Sequence, residues 1–192
     1  MGFPLDRDDI ISALSELIAR ARDAGVTGVT IEIIGGAALR LGYFDRRTTV
    51  DIDARISDEA ALAPHVRAIA RERGWPDDWL NTKAALFIPA WGEEVEWNTV
   101  LDNETCRVAI APPGALLAMK VKAMERRGNR DAGDVAKLIT LLGLRSADEV
   151  DDLYGAYFPG DAMSPVAFAR VERIFDIGPP EPEPRPEPPF RG

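Results

Sequence analysis

One cysteine and one histidine among 192 residues remove several kinds of chemistry at the outset. A lone thiol, Cys106, forms no disulfide within the chain, which fits a reducing compartment and a cytoplasmic location. With no second histidine or cysteine to join it, His65 builds neither a zinc site nor a Ser-His-Asp triad. No apolar run approaches the roughly 18 residues that span a bilayer. The opening Met1-Gly2-Phe3-Pro4-Leu5-Asp6 has no charged-then-apolar leader pattern. Neither secretion nor a membrane partner is expected. Basic charge is scarce too: 23 Lys and Arg face 32 Asp and Glu, a formal net charge of −9. Such a chain does not coat nucleic acid, because counterion release needs a clustered excess of cations. Carboxylates, lysine and arginine are left to carry any chemistry.

What is present is an ordinary globular composition, 46% hydrophobic and 29% charged. Helical spacing of Ile10, Ile11, Leu14, Leu17, Ile18 and Ala21 predicts a helix over Asp8–Ala24, closed by Gly25. A strand follows at Val29–Ile34, then Gly35-Gly36 and a short helix at Ala37–Leu41. Another strand is expected from Thr48 to Ile56, and a helix from Asp58 to Arg73 ending at Gly74. Two or three further strands are expected within Ala84–Pro89, Glu94–Leu101 and Cys106–Ala111. From Pro113 the period turns helical, with helices at Pro113–Arg127, Asp131–Leu142, Ala147–Tyr157 and Pro165–Phe175. Ser146 with Glu149 reads as a capping box, and Ser164-Pro165 as an N-cap followed by proline at the first helical position. This order predicts an α+β fold, a mixed sheet with flanking helices followed by a helical C-terminal segment. Residues 1–112 would form the α/β core and 113–176 the helical segment. Residues 177–192, with seven prolines from Gly178 onward, would be a disordered tail.

Two islands carry the chemistry. In the first, Val50, Ile52, Ala54 and Ile56 alternate with Thr49, Asp51, Asp53 and Arg55. On a strand this puts Asp51 and Asp53 on one face, about 6–7 Å apart. Two ionised carboxylates so close repel, and a divalent cation between them relieves the repulsion. Mg²⁺ takes such hard oxygen ligands and leaves room for phosphate oxygens. Gly35 and Gly36 lie between strand and helix, where backbone N–H groups meet a phosphate without an obstructing Cβ. Each feature alone has a plainer account, a tight turn or a solvated strand face.

The second island runs from Leu116 to Asp134. Lys120 shares a helix face with Leu117, Val121 and Met124, so it either snorkels along an apolar stripe or serves an anionic ligand. Lys120→Met is expected to cost little stability, since methionine fits that stripe. Asp131 and Asp134 extend the buried face of the next helix, or serve it as N-cap and first-turn acid. From Lys120 to Lys137 six cations meet three anions, a local inversion in an acidic chain that suits an anionic ligand.

Together, Gly35-Gly36, Thr49-Val50-Asp51-Ile52-Asp53, Pro113 to Lys120 and Arg130-Asp131-Ala132-Gly133-Asp134 resemble the minimal nucleotidyltransferases of the polymerase-beta-like superfamily. More closely, they resemble the AbiEii-like nucleotidyltransferase toxins and their bacterial relatives. The resemblance implies transfer of a nucleoside monophosphate from an NTP with release of pyrophosphate. It assigns Gly35, Gly36 and Thr49 to the triphosphate, Asp51 and Asp53 to Mg²⁺, and Lys120 to phosphate charge. Asp131 or Asp134 would fix that lysine or assist the acceptor. A third metal carboxylate, usual in the superfamily, would be Glu94, Glu96 or Asp102. A toxin-type enzyme acting on RNA (tRNA) or protein, with a cognate antitoxin as partner, is the expected function. The alternatives are an antibiotic-type small-molecule nucleotidyltransferase and an inactive binding module that keeps the fold.

Overall fold

The computed structural model describes residues 4–45 and 49–190, and the side chains of all of these except 126–129. The expected strand start at Thr48, the Arg126 and Arg127 side chains and the last two residues of the tail lie outside that description. The fold is α+β: seven helices and a five-stranded mixed sheet among the described residues. Two compact units divide the chain. The first takes Met1–Leu86, Trp97–Ala111 and Arg185–Gly192, the second Phe87–Glu96 and Pro112–Pro184.

The first unit opens with α1 (Arg7–Asp23), whose start is fixed by a reciprocal cap. The Asp6 carboxylate accepts from the Asp9 amide at 2.8 Å, and the Asp9 carboxylate accepts from the Asp6 amide at 3.0 Å. Then come β1 (Val29–Ile33), α2 (Gly35–Gly42), β2 (Ile52–Ile56), α3 (Glu59–Arg73), β3 (Leu80–Asn81), β4 (Asn98–Asp102) and β5 (Cys106–Ile110). The sheet order is β3-β2-β1-β5-β4, with β1 parallel to β5 and antiparallel to β2. Register aligns Ile31 with Ile56 and Val108, and Ile33 with Ala54 and Ile110. One sheet face is therefore apolar. Period two sends Thr30, Glu32, Asp53, Arg55 and Arg107 to the other face. Ile10, Leu14 and Leu17 of α1, with Leu62 and Ile69 of α3, are buried in the core.

Three expected strands differ. The one expected to run to Ile56 begins at Ile52, after an isolated bridge at Thr49 and a bend at Val50 and Asp51. Ala84–Pro89 forms no strand; Ala85–Phe87 is a single 3₁₀ turn whose Ala85 amide bonds the Thr82 carbonyl. A short apolar run has the length of a strand but cannot show whether a ladder partner exists. The edge position is taken by Leu80 and Asn81, which pair in parallel with Ile52 and Asp53. The strand expected from Glu94 begins only at Asn98. In the second unit the Glu93 amide bonds the Ala156 carbonyl at 2.8 Å instead.

The second unit is helical: α4 (Pro113–Arg127), a 3₁₀ turn at Gly128–Asp131, α5 (Ala132–Leu142), α6 (Ala147–Tyr157) and α7 (Pro165–Ile177). Ser164 Oγ caps α7 by accepting from the Ala167 amide. At α6 only half of the expected box forms. Ser146 Oγ accepts from the Glu149 amide, but the Glu149 carboxylate accepts from the Arg145 amide, one residue too early. Residues 179–190 carry neither helix nor strand. In the second unit Pro180 accepts from Thr140 Oγ1 at 2.8 Å, and Glu183 lies 2.6 Å from Lys137 Nζ. In the first, the Glu187 carbonyl accepts from the Arg7 guanidinium.

Candidate functional site

In the first unit, β1 ends at Ile33 and the chain turns into α2 through Ile34, which is still extended. Gly35 follows with φ +65°, a conformation that costs an L side chain roughly 1–2 kcal/mol. The antiparallel register sets Asp53 opposite Ile34, whose amide bonds the Asp53 carbonyl at 2.9 Å. The Asp53 carboxylate consequently rests against the glycine backbone, and a Cβ on Gly35 would stand 3.5 Å from Asp53 Oδ2. Gly36 continues the first turn of α2, where backbone N–H groups lack intrahelical partners. The strand–glycine–helix–strand order thus brings the two glycines and Asp53 together.

Asp51 lies in a bend just before β2 rather than within the strand. Two contacts hold it. Thr49 Oγ1 donates to the Asp51 carbonyl at 3.1 Å, and Asn81 Nδ2 donates to Asp51 Oδ2 at 3.3 Å. Thr49 is buried, and its backbone is bridged to Leu5. The hydroxyl that the resemblance assigns to the triphosphate is thus engaged on the backbone of Asp51.

Asn81 was not legible as a site residue. It is buried, donates also to the Asp78 carbonyl at 3.2 Å, and accepts from the Lys83 amide at 3.0 Å. The Lys83 ammonium pairs with the Asp78 carboxylate. Asp78 holds that ammonium above the ordinary lysine value, and the Asp51 and Asp53 carboxylates add in the same direction. Lys83 in turn holds the Asp78 carboxyl below its usual range. Between α3 and residues 77–83 opens a cleft of about 250 Å³ floored by Leu62 and Val66. Asn81, Lys83 and Arg67 also line it. No periodicity marks Asp77-Asp78-Trp79-Leu80-Asn81-Thr82-Lys83, so nothing in the sequence links it to residue 51.

Among the described residues no three His, Cys, Asp or Glu side chains gather as a metal cage. Asp102 ends β4, three strands from β2 and so more than about 14 Å from Asp53 at the usual strand spacing. Glu94 and Glu96 lie in the second unit, exposed and outside any strand. The donor set of the first unit is therefore two carboxylates. That set suits Mg²⁺, which is commonly held by one or two carboxylates and completes its shell with water and substrate phosphate.

In the second unit, α4 and α5 bring together the three charged residues of the second island. Lys120 Nζ lies 2.7 Å from Asp131 Oδ1 and 2.8 Å from Asp134 Oδ2, with all three side chains about nine-tenths buried. The ammonium is turned inward and does not snorkel. Asp131 occupies the N-cap position of α5 but caps nothing with its side chain. Its Oδ2 is buried and accepts no hydrogen bond among the described residues. Lys120 thus pairs with two carboxylates away from water.

Comparison of the chain with protein-family models, with curated proteins and with solved structures returned no match.

Proposed function

We propose that the chain is a Mg²⁺-dependent nucleotidyltransferase that moves a nucleoside monophosphate from an NTP to an acceptor. The observation that carries the reading is the Asp53 carboxylate seated against the left-handed backbone of Gly35 at the start of α2, with Asp51 two residues before it. A metal-binding carboxylate and phosphate-seeking amides then share one small surface. Mg²⁺ supplies charge neutralisation and polarisation at the phosphate undergoing attack.

The protein's own part is positional. Asp51 and Asp53 hold the metal, and Asn81 keeps Asp51 Oδ2 occupied so that the carboxylate does not swing. The Gly35 and Gly36 backbone offers N–H donors and close approach to the triphosphate. As the acceptor oxygen bonds the α-phosphorus, the bond from that phosphorus to the pyrophosphate oxygen breaks and the acceptor proton leaves to water. From the resemblance, Lys120 is assigned to phosphate charge. Its ion pairs with Asp131 and Asp134 support the lysine-fixing role for both carboxylates.

The resemblance to AbiEii-like toxins extends the proposal to RNA, tRNA above all, as acceptor, or to a protein acceptor, with an antitoxin as cognate partner. The net charge of −9 favours a second reading, transfer to a small molecule, because an RNA acceptor meets repulsion from an acidic surface. No helix among the described residues is long and apolar enough to cross a membrane.

The test is incubation with Mg²⁺ and labelled NTPs, beside total RNA, protein and a panel of small hydroxylated and aminated acceptors. One acceptor pool should take label, and Asp51→Asn with Asp53→Asn should abolish it. Absence of both labelling and NTP binding would leave a fold-retaining binding module as the better account.

A further inference from the structure

Lys83 lies outside every motif that the proposed function uses. Its side chain is 67% exposed and that of its partner Asp78 is 54% exposed. The amide of Lys83 is fixed to Asn81 Oδ1 at 3.0 Å, while Asn81 Nδ2 holds Asp51 Oδ2 at 3.3 Å. One buried asparagine therefore ties the root of this lysine to a carboxylate of the candidate metal pair. Asp51, Asp53, Asp77 and Asp78 make the neighbourhood strongly anionic, and a triphosphate entering it meets charge of its own sign.

We propose that Lys83 is a nucleotide-binding residue: its ammonium exchanges Asp78 for the triphosphate of the NTP bound at Asp51 and Asp53. The proposal rests on the nucleotidyltransferase reading. The exchange is energetically accessible because an exposed Lys–Asp pair contributes little, and both groups are already solvated. A triphosphate carries several charges where Asp78 carries one, so it is the stronger partner for a flexible point charge. Asp78 then holds the ammonium beside the site until the nucleotide arrives. The Asp51 and Asp53 carboxylates favour the charged ammonium in the free protein, which places the lysine within their field.

The competing account is a clip that does no more than tie residue 83 back to residue 78. The two accounts differ in sign. Lys83→Met and Asp78→Asn both break the pair, but only the first removes the proposed ligand, while the second frees it. Binding of each of the four ribonucleoside triphosphates with Mg²⁺ is measured by calorimetry on the full chain. Circular dichroism confirms that the variants are folded, and Lys83→Arg serves as the conservative control. We expect Lys83→Met to weaken binding roughly tenfold, the loss of one charge-assisted contact. Asp78→Asn should bind as tightly as wild type or up to about threefold tighter, and Lys83→Arg should keep most of the affinity. If Lys83→Met binds like wild type, or if both variants weaken binding alike, Lys83 is a clip and the proposal is overturned. The proposed function then stands, provided Asp51→Asn with Asp53→Asn abolishes binding. Wild type that binds none of the four triphosphates defeats the function reading, and this proposal falls with it.

Discussion

The molecule holds two constellations of lysine and aspartate, built from the same side chains and opposite in burial. In the second unit Lys120 is enclosed between Asp131 and Asp134, each about a tenth exposed. In the first unit the Lys83–Asp78 pair is more than half exposed, beside the half-buried Asp51 and Asp53. Burial strengthens the attraction within a pair, but the desolvation it requires is recovered only while every partner stays in place. The enclosed triad is thus costly to alter and slow to exchange partners. The open constellation adds little to stability and leaves its charges available to a ligand. The sequence marks Asp51, Asp53 and the Lys120 triad but not Asp78 or Lys83, and the contrast in exposure becomes visible only in the structure.

The largest expected effect comes from breaking the enclosed triad. Without the pairing in view, Lys120→Met looks mild because methionine fits the stripe of Leu117, Val121 and Met124. With the pairing in view the expectation reverses. Removing the cation breaks two buried ion pairs at once, and such losses run to about 3–5 kcal/mol. Urea unfolding should show that deficit for Lys120→Met, and adding Asp131→Asn and Asp134→Asn should restore a large part of it. A single variant as stable as wild type would show that water or a bound ion already screens the triad, and the contrast between the two regions would weaken.

Gly35→Ala should follow in size. Its φ of +65° costs an alanine roughly 1–2 kcal/mol. A Cβ 3.5 Å from Asp53 Oδ2 makes ordinary contact rather than a clash, so the loss is backbone strain. Urea unfolding reads the stability term. The same Cβ crowds the space beside the Asp53 carboxylate, so Mg²⁺–NTP affinity should drop by more than the stability loss accounts for. A loss confined to stability would mean that the glycine serves the turn alone.

The Lys83–Asp78 pair should barely register in stability, and its contribution carries a pH signature. Lys83 holds the Asp78 carboxyl below its ordinary value. A carboxyl depressed in the folded state stabilises fully above its unfolded pKa, near 4, and loses that contribution as pH falls through the lower folded value. Asp78→Asn should therefore cost less than about 1 kcal/mol at pH 7, since the pair is exposed and screened. Thermal unfolding across acid pH should bring variant and wild type together below pH 4. A difference that persists there has another origin.

The helices were the most legible part because two independent signals agreed on them. Apolar positions at a spacing of 3.6 set their span, and Ser146, Ser164-Pro165 and Gly74 set their ends. Strands fared worse for a physical reason. A two-residue strand such as Leu80–Asn81 is too short to display an alternation, whereas Ala84–Pro89 is apolar enough to imitate one. Within the candidate site, the approach of Asp53 to Gly35 follows from strand–glycine–helix–strand order and was legible. The contact of Asn81 with Asp51 spans 30 positions and depends on parallel pairing of β3 with β2, which no local pattern announces. The Lys120 triad was legible as a set of candidates. Its geometry was not, because the 3₁₀ turn at Gly128–Asp131 decides which way Asp131 faces.

The smallest expected effect is the most diagnostic for the comparison. Asp51→Asn with Asp53→Asn removes two charges from the open constellation. Neighbouring carboxylates repel by less than about 1 kcal/mol in water, so neutralising them removes a small penalty. Asparagine at 51 keeps a carbonyl oxygen that accepts from Asn81 Nδ2 as the carboxylate does, so that bond survives. Stability should stay within about 0.5 kcal/mol of wild type in either direction, the usual range away from buried networks. Urea unfolding with and without Mg²⁺ reads both halves of the expectation. Wild type should gain stability with the metal, by the mass action of a ligand that binds only the folded chain, and the variant should gain none. Were the doubly substituted chain to lose 2 kcal/mol or more, Asp51 and Asp53 would belong with the Lys120 triad as groups that hold the fold.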